Sequence, residues 1–204
     1  NKFNINWNNR EIPKPNFTGI KEVMNYTVSD LRPYIDWTFF FIAWEMKKLY
    51  PDILEDSAYG KEAKKIFNDA NKMLYFIEEN NIVDIKGVFG IFKANSNGDN
   101  IELYNKDKSL AATFNLFREQ RKKNKGPYLC LSDFIAPKEI NKDDYLGGFI
   151  VTTGLKADEY AKKLESEGDS YNAIMLKLVC DRLAEAFAEK LHEDIRKNYW
   201  GYAK

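Results

Sequence analysis

The chain has 204 residues, and its 31 Lys and Arg residues balance 31 Asp and Glu residues, which gives a formal net charge of zero at pH 7. This length suits a single domain with a substantial core, and the balanced charge without a basic stripe argues against a nucleic-acid partner. The longest apolar run, Phe39 to Trp44, is far shorter than the ~20 residues that span a bilayer. Because no signal-peptide pattern opens the chain, we expect a cytoplasmic protein without a membrane partner.

The first part of the chain predicts an extended arm and two short helices. The arm runs from Asn1 to Phe17, and Ser29 is placed to cap a short helix. A second helix is expected from Phe39 to Tyr50, with Asp36 or Thr38 as its N-cap and Pro51 as its stop. Two interpretations of Asp36 stay open: it is only a cap, or its carboxylate also meets a cationic group of a ligand.

The middle of the chain alternates helical and strand patterns. Apolar residues at helical spacing predict a helix from Lys61 to Glu79 whose buried face contains Ala63, Ile66, Phe67, Ala70, Leu74 and Ile77. Two β-rich runs around a turn-forming segment predict a hairpin of Val88–Phe92 and Ile101–Tyr104. Further expected elements are a strand in 109–117, a basic helix or coil in 118–125, an ambiguous segment in 129–135, a buried strand in 145–152 and a short helix in 157–165.

The last predicted element is a long helix from about Tyr171 to Tyr199. One face carries Leu176, Val179, Cys180, Leu183, Phe187 and Leu191, while the opposite side carries Asp181, Glu185, Glu189 and His192. Its first half is apolar nearly all round, so we expect it to be the central buried helix. Together the elements predict an α+β fold: one domain with a twisted, mostly antiparallel sheet, flanking helices and a long central C-terminal helix.

Motifs for catalysis or metal binding are absent from the sequence. The chain has one histidine, no Gly-x-Gly-x-x-Gly after a strand and no Gly-x-Ser-x-Gly. Gly87 and Gly90 lie in a strand pattern, which indicates a bulge or a close backbone contact and not a phosphate cradle. Cys130 and Cys180 are isolated from each other and from the histidine, so we expect reduced thiols and no metal site.

Seven distinctive blocks are spread along the sequence: 34–38 (YIDWT), 50–56 (YPDILED), 86–90 (KGVFG), 97–104 (NGDNIELY), 129–137 (LCLSDFIAP), 181–189 (DRLAEAFAE) and 199–203 (YWGYA). In this order they resemble the activation domain of cobalamin-dependent methionine synthase, and the resemblance covers essentially the whole chain. The resemblance implies a domain that presents S-adenosylmethionine for reductive methylation of cob(II)alamin, carried by a partner cobalamin-binding domain. It also implies a reductant such as a flavodoxin-like protein. Since methyl transfer needs alignment and no general acid or base, the lack of catalytic motifs fits this role.

The resemblance implies roles for four residues. Asp36 matches the family's carboxylate for the ligand amine, and Glu185 is expected near the ligand with Asp181 towards the cobalamin domain. For this acidic pair the alternative is a solvated helix face in which Lys177 balances Asp181. Tyr202, with Tyr199 and Trp200, either lines the adenosine side or belongs to the core.

The sequence also departs from the family pattern. No Arg-Pro-Ala-x-Gly-Tyr-Pro segment follows the 199–203 block, so residues 1–204 are expected to be a C-terminally incomplete activation domain. The family's arginine for the ligand carboxylate is then missing, which costs about 1.5–3 kcal/mol and predicts weak S-adenosylmethionine binding by an isolated chain that is itself inactive. Phe39 replaces a usual proline, and it either loosens the helix entry or adds an apolar wall.

The alternative function is an interaction module that docks on a cobalamin-binding domain or partner subunit without binding the ligand on its own.

Overall fold

The computed structural model describes residues 2–204 and confirms the α+β class. Its elements in chain order are β1 (Gly19–Val23), α1 (Val28–Leu31), α2 (Trp37–Ala43), α3 (Gly60–Glu79), β2 (Lys86–Asn97), β3 (Asn100–Tyr104), β4 (Leu110–Phe114), β5 (Asp144–Thr152), α4 (Lys156–Ser166) and α5 (Ser170–Asp194). Short 3-10 helices connect several of them, and residues Ile195–Trp200 continue α5 as a π-helix.

The sheet has the strand order β1-β2-β3-β4, with β5 also paired to β2. Strand β3 is antiparallel to both β2 and β4. Asn97 pairs with Asn100, so Gly98 and Asp99 form the two-residue turn of the predicted hairpin. Gly98 has φ of 63°, a conformation that a hairpin turn requires and glycine adopts without strain. The predicted hairpin is confirmed, with β2 longer at both ends than the apolar run indicated.

The chain forms two compact units. The first, called the sheet unit, contains the chain up to Lys21 with Phe89–Phe149 and Asp194–Lys204. The second, called the helical unit, contains Glu22–Val88 and Ile150–Glu193. Strands β1, β2 and β5 have residues in both units. The expectation that residues 1–204 make one domain stays a prediction; Asn1 of the predicted arm lies outside the described residues.

Each unit has its own apolar core. In the sheet unit, Ala94, Ile101, Leu103 and Ile135 form a buried cluster. In the helical unit, the predicted face of α3 is confirmed, because its aliphatic residues are buried and only Phe67 remains partly exposed. The predicted stripe of α5 is buried from Leu176 to Leu191. Both cysteines are buried free thiols, as expected.

One tight contact fixes the packing of α5 in the helical unit. A Cβ atom placed on Gly87 would lie 2.9 Å from Cζ of Phe187, 3.1 Å from Cγ2 of Val23 and 3.2 Å from the carbonyl oxygen of Ile150. The first distance is shorter than real Cβ atoms show and the other two are tight, so the predicted close contact at Gly87 is confirmed.

Two predicted helix ends are wrong. Helix α2 stops at Ala43 and does not reach Tyr50, because Glu45 adopts φ of 61° and the carbonyl of Phe41 accepts the N–H groups of Trp44 and Met46. The cap of α1 is Thr27, and not Ser29. Thr27 and Asp30 form a capping box, whereas the hydroxyl of Ser29 donates to Glu78 at 2.9 Å.

Burial was also mispredicted in two places. The strand expected in 145–152 exists as β5, but Ile150 is 73% exposed and only Asp144 and Tyr145 are buried. The first half of α5 is not buried all round, since Ile174 is 49% exposed. An apolar run shows what a segment can bury and does not show how many of its faces are covered.

Candidate functional site

Asp36 is the N-cap of α2, which confirms the capping role that both interpretations share and leaves the choice between them open. Its Oδ1 atom accepts hydrogen bonds from the N–H groups of Thr38 at 2.9 Å and Phe39 at 3.3 Å. The other carboxylate oxygen has no hydrogen-bond partner among residues 2–204, and the side chain is exposed. One oxygen therefore holds the helix start while the other is open to a ligand.

An aromatic cluster holds the start of α2 in place. The ring of Trp37 meets Phe67 edge-on at 4.7 Å and Phe40 at 5.3 Å. Phe40 and Phe41 are almost completely buried. Such edge-to-face contacts stabilise one arrangement of the rings, so the carboxylate at the helix start has a rigid base. Phe39 is 58% exposed and does not belong to this base.

The segment before Asp36 is tied to two helices. Arg32 donates to Oδ1 of Asn71 at 2.7 Å, and its guanidinium lies 4.5 Å from the ring centre of Tyr75, both on α3. The hydroxyl of Tyr34 donates to the carboxylate of Glu193 on α5. These contacts hold the segment just before Asp36 against α3 and α5. Sequence reasoning missed Arg32 and Glu193, since no local pattern shows which helix a side chain will reach.

The acidic pair on α5 lies on the exposed surface of the helix. Asp181 and Glu185 are both exposed, and neither forms a salt bridge with any residue from 2 to 204. The predicted balancing role of Lys177 is wrong, because its ammonium pairs with Glu165 on α4 at 2.7 Å. Two carboxylates four residues apart on one helix repel each other, and here no described cation offsets that repulsion.

The aromatic residues after α5 divide into packed and exposed members. Tyr199 lies 4.6 Å from the ring of Phe89, and the indole N–H of Trp200 donates to the carbonyl of Pro13 at 3.1 Å. Tyr202 is 51% exposed and touches the ring of Trp200 edge-on at 5.7 Å. Tyr199 and Trp200 thus pack inside the sheet unit, and Tyr202 is the member with free surface.

The structure does not join the four predicted site residues directly. Among residues 2–204, no hydrogen bond, ion pair or ring contact links Asp36, Asp181, Glu185 and Tyr202 to one another. The first three belong to the helical unit and Tyr202 to the sheet unit. Their roles in ligand or partner binding therefore stay predictions.

The described residues contain neither a group of metal-binding side chains nor a membrane-spanning helix. Between Lys2 and Lys204, no three His, Cys, Asp or Glu side chains are grouped in a way that would hold a metal ion. In the same part of the chain, no helix has the length and apolar character needed to cross a membrane.

The family model described as "Vitamin B12 dependent methionine synthase, activation domain" matches residues 27–204. The chain belongs to this family. The match starts at Thr27, the cap of α1, and continues through α5 and the aromatic residues after it. The resemblance inferred from the sequence blocks is confirmed.

A solved structure agrees with this activation-domain assignment. The chain is similar to a protein described as "Crystal Structure of the MetH Reactivation Domain bound to AdoHcy", with 44% sequence identity and a TM-score of 0.95. The alignment covers all of this chain and 63% of the other chain. The chain therefore spans less than two-thirds of the length of that chain, and the predicted fold is confirmed over the residues of this chain.

Proposed function

We propose that this activation domain binds S-adenosylmethionine and presents its methyl group to a cobalamin held by another domain of a methionine synthase. The observation that carries the proposal is the half-used, exposed carboxylate of Asp36 on a rigid helix start. The solved neighbour gives support, because AdoHcy is what S-adenosylmethionine becomes when it loses its methyl group.

Asp36 binds the amino end of the ligand in this proposal. The unused carboxylate oxygen can accept a charge-assisted hydrogen bond from an ammonium, which is stronger than a bond between neutral groups. Because Oδ1 already caps α2, the position of the second oxygen is fixed before the ligand arrives. Such preorganisation reduces the ordering cost of binding.

Glu185, Tyr202 and Asp181 have complementary roles in the proposal. Glu185 contacts the ligand, Tyr202 lines its adenosine side, and Asp181 faces the cobalamin-binding domain. All three side chains are exposed, which is what contact with a ligand or partner requires. Cobalamin, when its own domain carries it, supplies the nucleophile that accepts the methyl group, after reduction by a flavodoxin-like protein. This chain orients the donor and contributes no acid or base.

The donor site is tested by titrating S-adenosylmethionine into the domain and following its amide resonances. Asp36→Asn keeps a good helix cap but removes the charge, so we expect affinity to fall about tenfold or more. Glu185→Gln should weaken binding less. The matched control is Asp52→Asn, which removes one exposed carboxylate at the start of another short helix and should leave affinity unchanged. Equal affinities for wild type and Asp36→Asn would contradict the proposal.

We also propose that the isolated chain binds the donor weakly and is inactive alone. The residues proposed to hold the ligand, Asp36, Glu185 and Tyr202, include no cation for the ligand carboxylate. Calorimetry on the isolated chain should give a dissociation constant well above the micromolar range. A dissociation constant of about 1 μM, which corresponds to about −8 kcal/mol, would refute weak binding.

A further inference from the structure

A cleft lies entirely within the sheet unit. Its volume is about 530 Å³, and it is bordered by the start of β1, the middle of β2, the end of β3 and the start of β5. Ile91 and Tyr145 are buried beneath it, while Phe92 and Tyr104 add two partly exposed rings. A cleft of this size with aromatic and aliphatic walls is typical of small-molecule sites.

The charged residues that line this cleft are all lysines. Lys14, Lys93 and Lys106 border it, and no Asp or Glu of residues 2–204 does. Lys93 pairs with Asp143 at 2.5 Å, whereas Lys14 and Lys106 form no salt bridge with any described residue. These three lysines lie far apart in the sequence, so no motif could have indicated them.

The only acidic residue on the adjoining turn uses one of its carboxylate oxygens within that turn. Asp107 accepts hydrogen bonds from the N–H of Ser109 at 2.9 Å and from its hydroxyl at 2.6 Å. Its carboxylate therefore stabilises the turn that carries Lys106. The two unpaired ammonium groups remain available to an anion.

We propose that this cleft binds a small aromatic anion of about mononucleotide size. The flat ring of this anion lies against Phe92 and Tyr104, the two partly exposed rings of the lining, and its anionic group meets Lys14 and Lys106. Aromatic walls favour stacking of a planar ring, and ammonium groups favour a phosphate or carboxylate. None of Asp36, Glu185 and Tyr202 lines the cleft, so the inference is independent of the proposed donor site.

The test uses uridine 5′-monophosphate as the probe, since it shares no base with S-adenosylmethionine. Titration of the domain should give saturable shifts at the ring protons of Phe92 and Tyr104. Uridine alone and inorganic phosphate alone should each bind about tenfold more weakly, because each makes only half of the contacts. Absence of saturable shifts at these two rings would overturn the proposal.

Variants at the two unpaired lysines sharpen the test. Lys14→Gln with Lys106→Gln should weaken uridine monophosphate binding about tenfold or more. Lys108→Gln removes the same charge from the same turn but does not line the cleft, so it should leave binding unchanged. An equal loss in both variants would mean nonspecific attraction and would refute the site. Asp36→Asn should leave this binding intact, which separates failure here from failure of the proposed donor site.

Discussion

Asp36 and Asp133 both lie at the start of a short helix, and both belong to sequence blocks that the family shares. Asp133 is nearly buried, and it accepts hydrogen bonds from the N–H of Cys130 at 2.9 Å and from two nitrogens of Arg118 at 2.6 and 2.7 Å. Asp36 is exposed and uses one oxygen only. The first carboxylate is satisfied by its own chain, whereas the second keeps capacity for another molecule.

Arg118 explains why the Asp133 region is structural. Its guanidinium also donates to Asp99 and to the carbonyl of Tyr128, so all five of its hydrogen bonds end on this chain. It thereby joins the β2–β3 turn to the 3-10 helix Leu131–Phe134. The number of unused hydrogen-bonding atoms therefore separates a structural acid from a candidate binding acid better than the motif does.

The largest expected effect follows from removing Arg118. Arg118→Ala leaves Asp133 and Asp99 without their shared cation. It also removes the hydrogen bond that Arg118 donates to the carbonyl of Tyr128. We expect the thermal unfolding midpoint to fall by several degrees, measured by circular dichroism. Arg121→Ala is the matched control, because Arg121 is exposed on the same loop without a described salt bridge, and its midpoint should stay at the wild-type value.

Acid should weaken the same region. Hydrogen bonds from Arg118 and Lys2 lower the pKa of Asp99 from 3.8 to about 2, and Arg118 also lowers the pKa of Asp133. A carboxyl whose pKa is lower in the folded state stabilises it fully above the unfolded pKa, and this contribution disappears as pH falls through the folded pKa.

Stability should therefore decline between pH 3.8 and about 2, measured by urea unfolding at a series of pH values. In Arg118→Ala the decline should be smaller, because the largest cause of the lowered pKa values is gone and only the smaller effect of Lys2 on Asp99 remains. An identical decline in both proteins would show that other carboxyls, and not this pair, control the acid limit.

The smallest expected effect concerns the cap at Asp36. Asp36→Ala removes the acceptor for two N–H groups and should cost about 1 kcal/mol of unfolding free energy. Asp36→Asn keeps the cap and should cost close to nothing. Urea unfolding of the three proteins checks this order. A large loss of unfolding free energy in Asp36→Asn would mean that the charge of Asp36 stabilises the fold. Asp36 would then be a structural acid like Asp133.

Much of the fold was predictable because its helices and strands have clear periodic patterns. The buried faces of α3 and α5 and the β2–β3 hairpin follow directly from residue spacing. Errors occurred where tertiary contacts decide the outcome. Nothing near Ser29 in the sequence shows that Glu78 will take its hydroxyl, and nothing near Tyr145–Thr152 shows that Ile150 stays exposed.

The candidate site was less predictable than the fold. The sequence indicated Asp36 correctly as a cap, but its free oxygen and the anchoring of Arg32 to Asn71 appear only in three dimensions. Lys177 illustrates the limit of helical spacing, since its partner Glu165 belongs to another helix. Contacts between distant segments are set by packing, which a local pattern does not encode.

Gly87 has a consequence for how such domains can diverge. A side chain at this position would clash with the ring of Phe187 and crowd Val23 and the carbonyl oxygen of Ile150. The ring of Phe187 is the only one of these neighbours that a substitution can shrink by several atoms. Positions 87 and 187 should therefore change together in related genes, with any gain of volume at the first offset by a loss at the second.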